Sequence, residues 1–282
     1  MKPDAKADAA EQQSGGSFSV RRLDLGSFVG VPLAVAVVLA AHVLEGGSAR
    51  SLWQPAAALV VIGGTIAAVL VSYPFSTVRR AAVAVWYVCT HDTTPPAGIV
   101  GRILDYAHRA RRKGVLSLEE GLDEVGDRFL RSALTLIVDG ARADTARQVL
   151  TIDRRAQHET LEAAAEVLET AAGYTPTLGI LGAVLGLIHV MESLSEPAKL
   201  GPGIAVAFVA TVYGVAAANL LLLPLATKMR GFARSEDLCR DIIIEGIVAI
   251  QEGLNPRLLE QKLEGYIEPA NRQPPPDRRV VA

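Results

Sequence analysis

Charge is missing from this sequence over stretches where a water-soluble chain would carry it. Residues 25–44, 53–73, 171–191 and 204–227 contain no Asp, Glu, Lys or Arg. Half of the 282 residues are hydrophobic, and mean hydropathy is positive. A hydrocarbon core about 30 Å thick needs roughly 20 residues of helix, and each run supplies them. One such run could be a buried helix of a soluble core; four in one chain argue against that. Cysteine is scarce: Cys89 and Cys239 lie far apart and outside any metal-ligand spacing. This excludes a disulfide framework and fits reduced thiols facing the cytoplasm. The first 24 residues lack the apolar core of a secretory signal. They read as a disordered cytoplasmic tail, and the Pro- and Arg-rich 269–282 as a second disordered tail. No phosphate-binding G-x-x-x-x-G-K-[ST] loop, H-E-x-x-H helix or G-x-S-x-G elbow occurs, so enzymatic chemistry has no foothold and no cofactor is expected. His42 and His189, near the ends of apolar runs, read as interfacial side chains rather than metal ligands. A net charge of −2 gives no argument for nucleic acid. No acidic residue lies inside any of the four runs. Proton-moving proteins retain such a residue for function, so a proton path here requires a carboxylate from another chain.

What is present orients the chain. Of its 28 Lys and Arg, 26 fall outside the two short connections 45–52 and 192–203, which hold one each. Positive residues stay on the cytoplasmic side, so both connections face outward and both termini lie inside. The expected architecture is an all-α membrane protein with four transmembrane helices. A helical cytoplasmic domain joins the second and third, and a cytoplasmic extension follows the fourth. The division is 1–24 tail, 25–75 first membrane hairpin, 76–170 cytoplasmic domain, 171–227 second hairpin, 228–268 helical extension and 269–282 tail.

Within the cytoplasmic part, 76–94 is expected to continue helically from the second span, with a break at the TTPP of 93–96. A helix over 97–113 ends at Gly114, and Ser117 with Glu120 forms a candidate S-x-x-E capping box. Residues 129–138 make another apolar helix. From Arg142 to Thr170 neither Gly nor Pro interrupts, which predicts one helix running into the third span. The fourth span should extend to about Ile250, where Gly253 and Asn255-Pro256 stop it. Two prolines in 192–203 predict a tight re-entry.

The third span carries Gly173, Gly179, Gly182, Ala183 and Gly186, with a G-x-x-x-G at 182–186. Small residues at that spacing let helices approach closely in lipid, within this chain or against a partner. Pro176 and Pro224 each remove a backbone donor near the inner ends of spans three and four, making both candidate hinges. Thr211, Tyr213 and Asn219 are the polar residues of the fourth span; they bond their own preceding turn or line a path.

Three stretches resemble the MotA family of flagellar stator proteins, relatives of TolQ and ExbB. They are GYTPTLGILGAVLGLIHVMESLSEPAKLGPGIAVAFVATVYGVAAANLLLLPLATKMR at 173–230, EGIVAIQEGLNPRLLEQKL at 245–263 and ARRKGVLSLEE at 110–120. The resemblance covers about residues 25–268, and the first hairpin favours MotA over the three-span relatives. It implies a homo-pentamer around a dimer of a MotB-type single-span partner that supplies the ion-binding aspartate. It implies that Arg111 and Glu119, with Arg112, Lys113 and Glu120, engage the rotor protein FliG. It assigns conformational coupling to Pro176 and Pro224 and the ion pathway to Thr211. Ala183 stands where sodium-driven members tend to have threonine, which leans towards protons. Gly179, Gly182 and Gly186 become candidates for packing against the partner, with lipid around the whole. The competing readings are an energiser of the ExbB/TolQ kind and a non-conducting membrane scaffold. A stand-alone transporter is disfavoured by the lack of inverted repeats and intramembrane charge.

Overall fold

The computed structural model describes residues 25–90, 95–192, 195 and 197–267. The two tails and residues 93 and 94 of the TTPP break lie outside the described residues. Everything regular among these residues is helical. Helix α1 covers Leu25–Leu44. A 3₁₀ turn, Ala49–Leu52, leads to α2, which runs through Pro55–Ala58, a π-helical stretch Leu59–Gly63 and Gly64–Ser72. Helix α3 is Phe75–Thr90, α4 is Pro96–Lys113 and α5 is Arg128–Val138. Helix α6, Ala143–Glu192, has 50 residues and so measures about 75 Å. Helix α7 runs without a break from Pro197–Ala216 through a π-helical stretch Ala217–Leu222 to Leu223–Gln251. Helix α8 is Pro256–Glu264.

The continuous α6 and the long extension of the last span match the expectation. Three details differ. Helix α3 does not continue α2: Tyr73 is extended at φ −130° and ψ 146°, because the proline at 74 disfavours helical backbone at the residue before it. Ser117 does not cap a helix. It sits in a 3₁₀ turn, Val115–Leu118, and its hydroxyl donates to the carbonyl of Gly114 at 2.6 Å. The start of α5 is capped instead by Asp127, whose carboxylate accepts from the amides of Phe129 at 2.9 Å and Leu130 at 3.2 Å. Finally, the outer prolines do not form a loop. Pro197 opens α7 at its first position, where a missing N–H costs nothing, and the helix passes through Pro202.

Helices α6 and α7 lie antiparallel along nearly their whole length. Gly203 meets Val190 at one end, Gly186 meets Ala207 further in, and Arg147 pairs with Glu245 at the far end. At the apolar end, α2 packs beside them and α1 contacts little else of the chain than the first 3₁₀ turn and the π-helical stretch of α7. Helices 49–72, 143–192 and 203–251 are long and apolar enough to cross a membrane; the apolar part of α1, Val29–Leu44, is shorter. Only 22–28% of each of the three apolar windows is buried within the chain, so the remainder must face lipid or other subunits.

At the charged end, α4, α5, the foot of α7 and α8 enclose a core around Ile103, Leu130, Leu134, Ile247, Leu259 and Leu263, all fully buried. Helix α7 crosses this core at Gly246, where any side chain would run into Ile103. Helix α8, capped by Asn255, is tied down by Glu245, which accepts from Arg147 and from Lys262. These bonds, that from Arg147 first, hold the Glu245 carboxyl down at about 2 against partial burial. A second, smaller core of Ala81, Val88, Ala165, Met229 and Phe232 sits where the apolar and charged halves meet, with Tyr87 edge-on to Phe232.

Candidate functional site

Two regions carry the residues singled out from the sequence. The first is the seam between α6, α7 and α2. A Cβ at Gly179 would stand 3.0 Å from the carbonyl oxygen of Ala210 and 3.3 Å from the Cα of Thr211. One at Gly182 would stand 2.9 Å from the Cβ of Ala210, and one at Gly186 the same distance from that of Ala207. The glycine face of the third span is thus occupied by α7 of the same chain, and the side that meets α7 leaves no room at these positions for a second polypeptide. On α7, Gly214 returns the approach, with its missing Cβ 2.8 Å from the carbonyl of Thr175. Thr211 and Ala183 are half-buried on the two helices of this seam.

Pro176 lies inside α6 without ending it. The register brings it against Gly214 of α7, whose missing Cβ would stand 3.2 Å from the Cα of Pro176, one turn before the π-helical stretch, and Pro224 follows that stretch by two residues. A widened turn commonly accompanies a residue that cannot donate to the ladder. Opposite Gly214 and at position 224, the two prolines therefore flank the π-helical stretch within a slab about 15 Å deep along α7.

The same slab holds hydroxyl pairs with no clear mark in the sequence. Thr65 of α2 and Thr175 of α6 are two of the three buried polar residues among those described. Their oxygens lie 3.4 Å apart, while each also donates to its own preceding turn, to Val61 and to Ala171. Ser72 pairs with Tyr174 at 3.0 Å and Tyr73 with Thr170 at 2.8 Å. Tyr213, one of the polar residues noted on the fourth span, receives the amide of Gln54 and donates to the carbonyl of Leu52. It ties the turn before α2 to α7. Asn219 bonds back to Val215 at 3.0 Å.

The second region is the tip of the charged end. Helix α4 finishes in Arg111, Arg112 and Lys113, and Gly114 turns the chain at φ 84°, a backbone conformation that favours glycine. After the Val115–Leu118 turn come Glu119 and Glu120, and Gly121 turns it again at φ 106°. Leu118 is buried and pins the turn; Arg109 donates to the carbonyl of Glu120, and Arg131 holds those of Asp123 and Val125. All five candidate charges are exposed. Among the described residues none of them enters an ion pair. A braced loop thus displays three positive and two negative charges, all of them available.

Further ion pairs join α6 to α7 between the two regions. His158 faces Asp237 at 2.6 Å and Arg154 faces Asp241 at 3.1 Å. Arg230 reaches both Glu162 and Glu169. Arg240 is buried, stacks over Phe129 at 5.7 Å and donates to Glu236 at 2.7 Å. Burial raises the Glu236 carboxyl, and Arg240 opposes the rise. The spacing of seven between Glu162 and Glu169 could have marked them as one helix face, but not their common partner.

Known proteins resemble this chain over most of its length. The MotA/TolQ/ExbB proton channel family matches residues 122–241, and the Motility protein A N-terminal family matches 28–97. The chain is 33% identical over 251 residues to Motility protein A of Bacillus subtilis, covering 89% of this chain and 93% of that protein. It is similar in structure to C. jejuni MotAB, with a TM-score of 0.82 and 29% identity over 88% of this chain and 97% of that one. The flagellar MotAB stator complex from Bacillus subtilis gives a TM-score of 0.81 at 33% identity, over 88% and 98% of the two chains.

Proposed function

The chain belongs to the MotA/TolQ/ExbB proton channel family, within it to the Motility protein A group, and from that membership we propose how it works as a stator subunit of the flagellar motor. It is a multi-pass protein of the inner membrane. In our reading α1 is a fourth span beside the three membrane-capable helices, since its 20 residues carry no charge. The excess of Lys and Arg assigns the charged end, and both termini, to the cytoplasm.

The subunit has no acidic residue in its apolar runs, so a single-span partner of the MotB type brings the aspartate that takes up the ion. Proton movement through 100 mV releases about 2.3 kcal/mol per charge. Neutralising the partner's carboxylate changes which neighbouring subunit it prefers, and a ring of five copies steps around it. Thr211 and Ala183 line the route, with protons as the favoured ion. Because the face of Gly179, Gly182 and Gly186 towards α7 is filled within the chain, partner contact uses the remaining faces of α6 and α7. The slab containing Pro176 and Pro224 is where the spans can flex, and α6 and α7 carry the displacement to the tip. There Arg111, Arg112, Lys113, Glu119 and Glu120 act on opposite charges of the rotor protein FliG.

The observation that carries this reading is the braced tip whose charges have no partner of their own among the described residues. Charge reversal tests it. Arg111→Glu, expressed with the partner in a strain lacking its own stator, should abolish swimming while membrane insertion and partner co-purification stay normal. Unimpaired swimming would remove the torque role from this residue. The N-terminal family match over the α1–α2 hairpin favours this reading over an ExbB- or TolQ-like energiser, and restoration of swimming by the unmodified chain separates the two.

A further inference from the structure

We propose that Arg230 is a positioning residue that locks α6 to α7 just below the two prolines, so that movement in the membrane reaches the rotor-facing tip. The proposal rests on the stator reading above. Arg230 stands on α7 six residues beyond Pro224, and Glu169 stands on α6 seven residues before Pro176. The guanidinium holds Glu169 through both terminal nitrogens, Nη2 at 2.8 Å, and Glu162 through Nε at 3.3 Å. Bidentate arginine–carboxylate pairing fixes direction as well as distance.

The two carboxylates lie seven residues apart, two turns along α6, or about 10 Å. Gripping both prevents α6 from sliding along α7 and from turning about its own axis. A slip by one turn would break at least one of the bonds. Arg154 and Arg147, on α6, by contrast each meet one acid of α7, Asp241 and Glu245. Those pairs also lie lower, nearer the buried core of the charged end, which ties the helices together by itself. At the level of Arg230 the helices meet through the smaller core, here Ala164, Ala165, Val167, Met229 and Phe232.

Arg230, Glu162 and Glu169 are each about a third exposed, at 36%. Ion pairs this open to water add little to stability. The arrangement therefore serves register more than folding, and its loss should show in transmission rather than in assembly.

The test uses the full chain with its single-span partner in a stator-less motile host. Three variants are compared with the unmodified protein: Arg230→Gln, Arg230→Glu, and Arg230→Glu combined with Glu169→Arg. Stall torque is measured on tethered cells, and proton uptake and membrane abundance on vesicles from the same cells. We expect Arg230→Gln to lower stall torque at least about twofold with proton uptake and abundance unchanged. Arg230→Glu should lower it further, and the exchanged pair should recover part of the torque, since position 162 stays unpaired. Normal torque in Arg230→Gln, or torque, uptake and abundance falling together, would overturn the proposal. So would an exchanged pair that accumulates normally without recovering torque. Failure of the unmodified chain to restore any rotation would instead count against the stator reading itself.

Discussion

A methyl group added at Gly214 would stand 2.8 Å from the backbone oxygen of Thr175 and 3.1 Å from the Cα of Gly179. Neither neighbour is a flexible side-chain end, so Gly214→Ala must part the two helices. Its expected effect is loss of folded subunit from the membrane fraction, read by quantitative blotting and by a lowered unfolding temperature in detergent. Gly101 is the contrast. It lies inside α4 with nothing within 4 Å of a new Cβ, so Gly101→Ala should stabilise the protein by about 0.5–1 kcal/mol through helix propensity. If both substitutions proved neutral, close helix approach would not be what glycine provides at 214. In the sequence both are simply glycines among apolar or charged neighbours. Position 101 is free and 214 is not, because only the latter faces another backbone. The hydroxyl of Thr175 is similar: reading GYTPT gives its proximity to Pro176, but not the presence of Thr65 across the seam.

At the scale of elements, the long helices were legible, and so were some joints, such as Gly114 after α4 and Gly253 with Asn255-Pro256 after α7; others were not. Helix α6 could be read from an uninterrupted run without Gly or Pro followed by an uncharged one, and α7 from the reverse order. The break at Tyr73, the 3₁₀ turn at Ser117 and the π-helical stretches were missed. The first follows from local sterics before proline. The others depend on what the segment packs against, such as Leu118 entering the core or α7 passing α6 and α1. Pairing across α6 and α7 needs the register of the two helices, which periodicity alone does not supply. Two predictions belong here. Asp127→Ala removes both bonds capping α5 and should cost about 1 kcal/mol in unfolding free energy, measured by denaturant titration; no change would mean the cap is dispensable. The second concerns pH. Glu245 titrates near 2 in the folded protein against an ordinary 4.5. A depressed carboxylate stabilises the fold above its unfolded value, and that stabilisation is lost as pH falls from 4.5 towards 2. The contribution of this group should therefore be full and independent of pH across the cytoplasmic range, followed by a decline in acid that Glu245→Gln reduces. An identical acid decline in the variant would exclude Glu245 as its source.

For the whole molecule, the architecture separates two tasks by about the length of α6. The apolar end packs backbone against backbone, carries no acid of its own in its apolar runs and leaves most of its surface for lipid or other subunits. The other end is a self-sufficient core presenting fixed charges on a braced loop. The division itself could be read from where charge is absent and where Lys and Arg accumulate. The tip residues were singled out by resemblance rather than by pattern, since exposed charges look alike in sequence. In the proposed mechanism the subunit works through a path for ions that a second polypeptide must complete. Proton flux into liposomes holding the purified subunit alone, compared with liposomes holding it together with its single-span partner, tests this most directly. The account predicts no flux above that of empty liposomes for the subunit alone and clear flux with the partner present. Selective flux through the subunit by itself would contradict it.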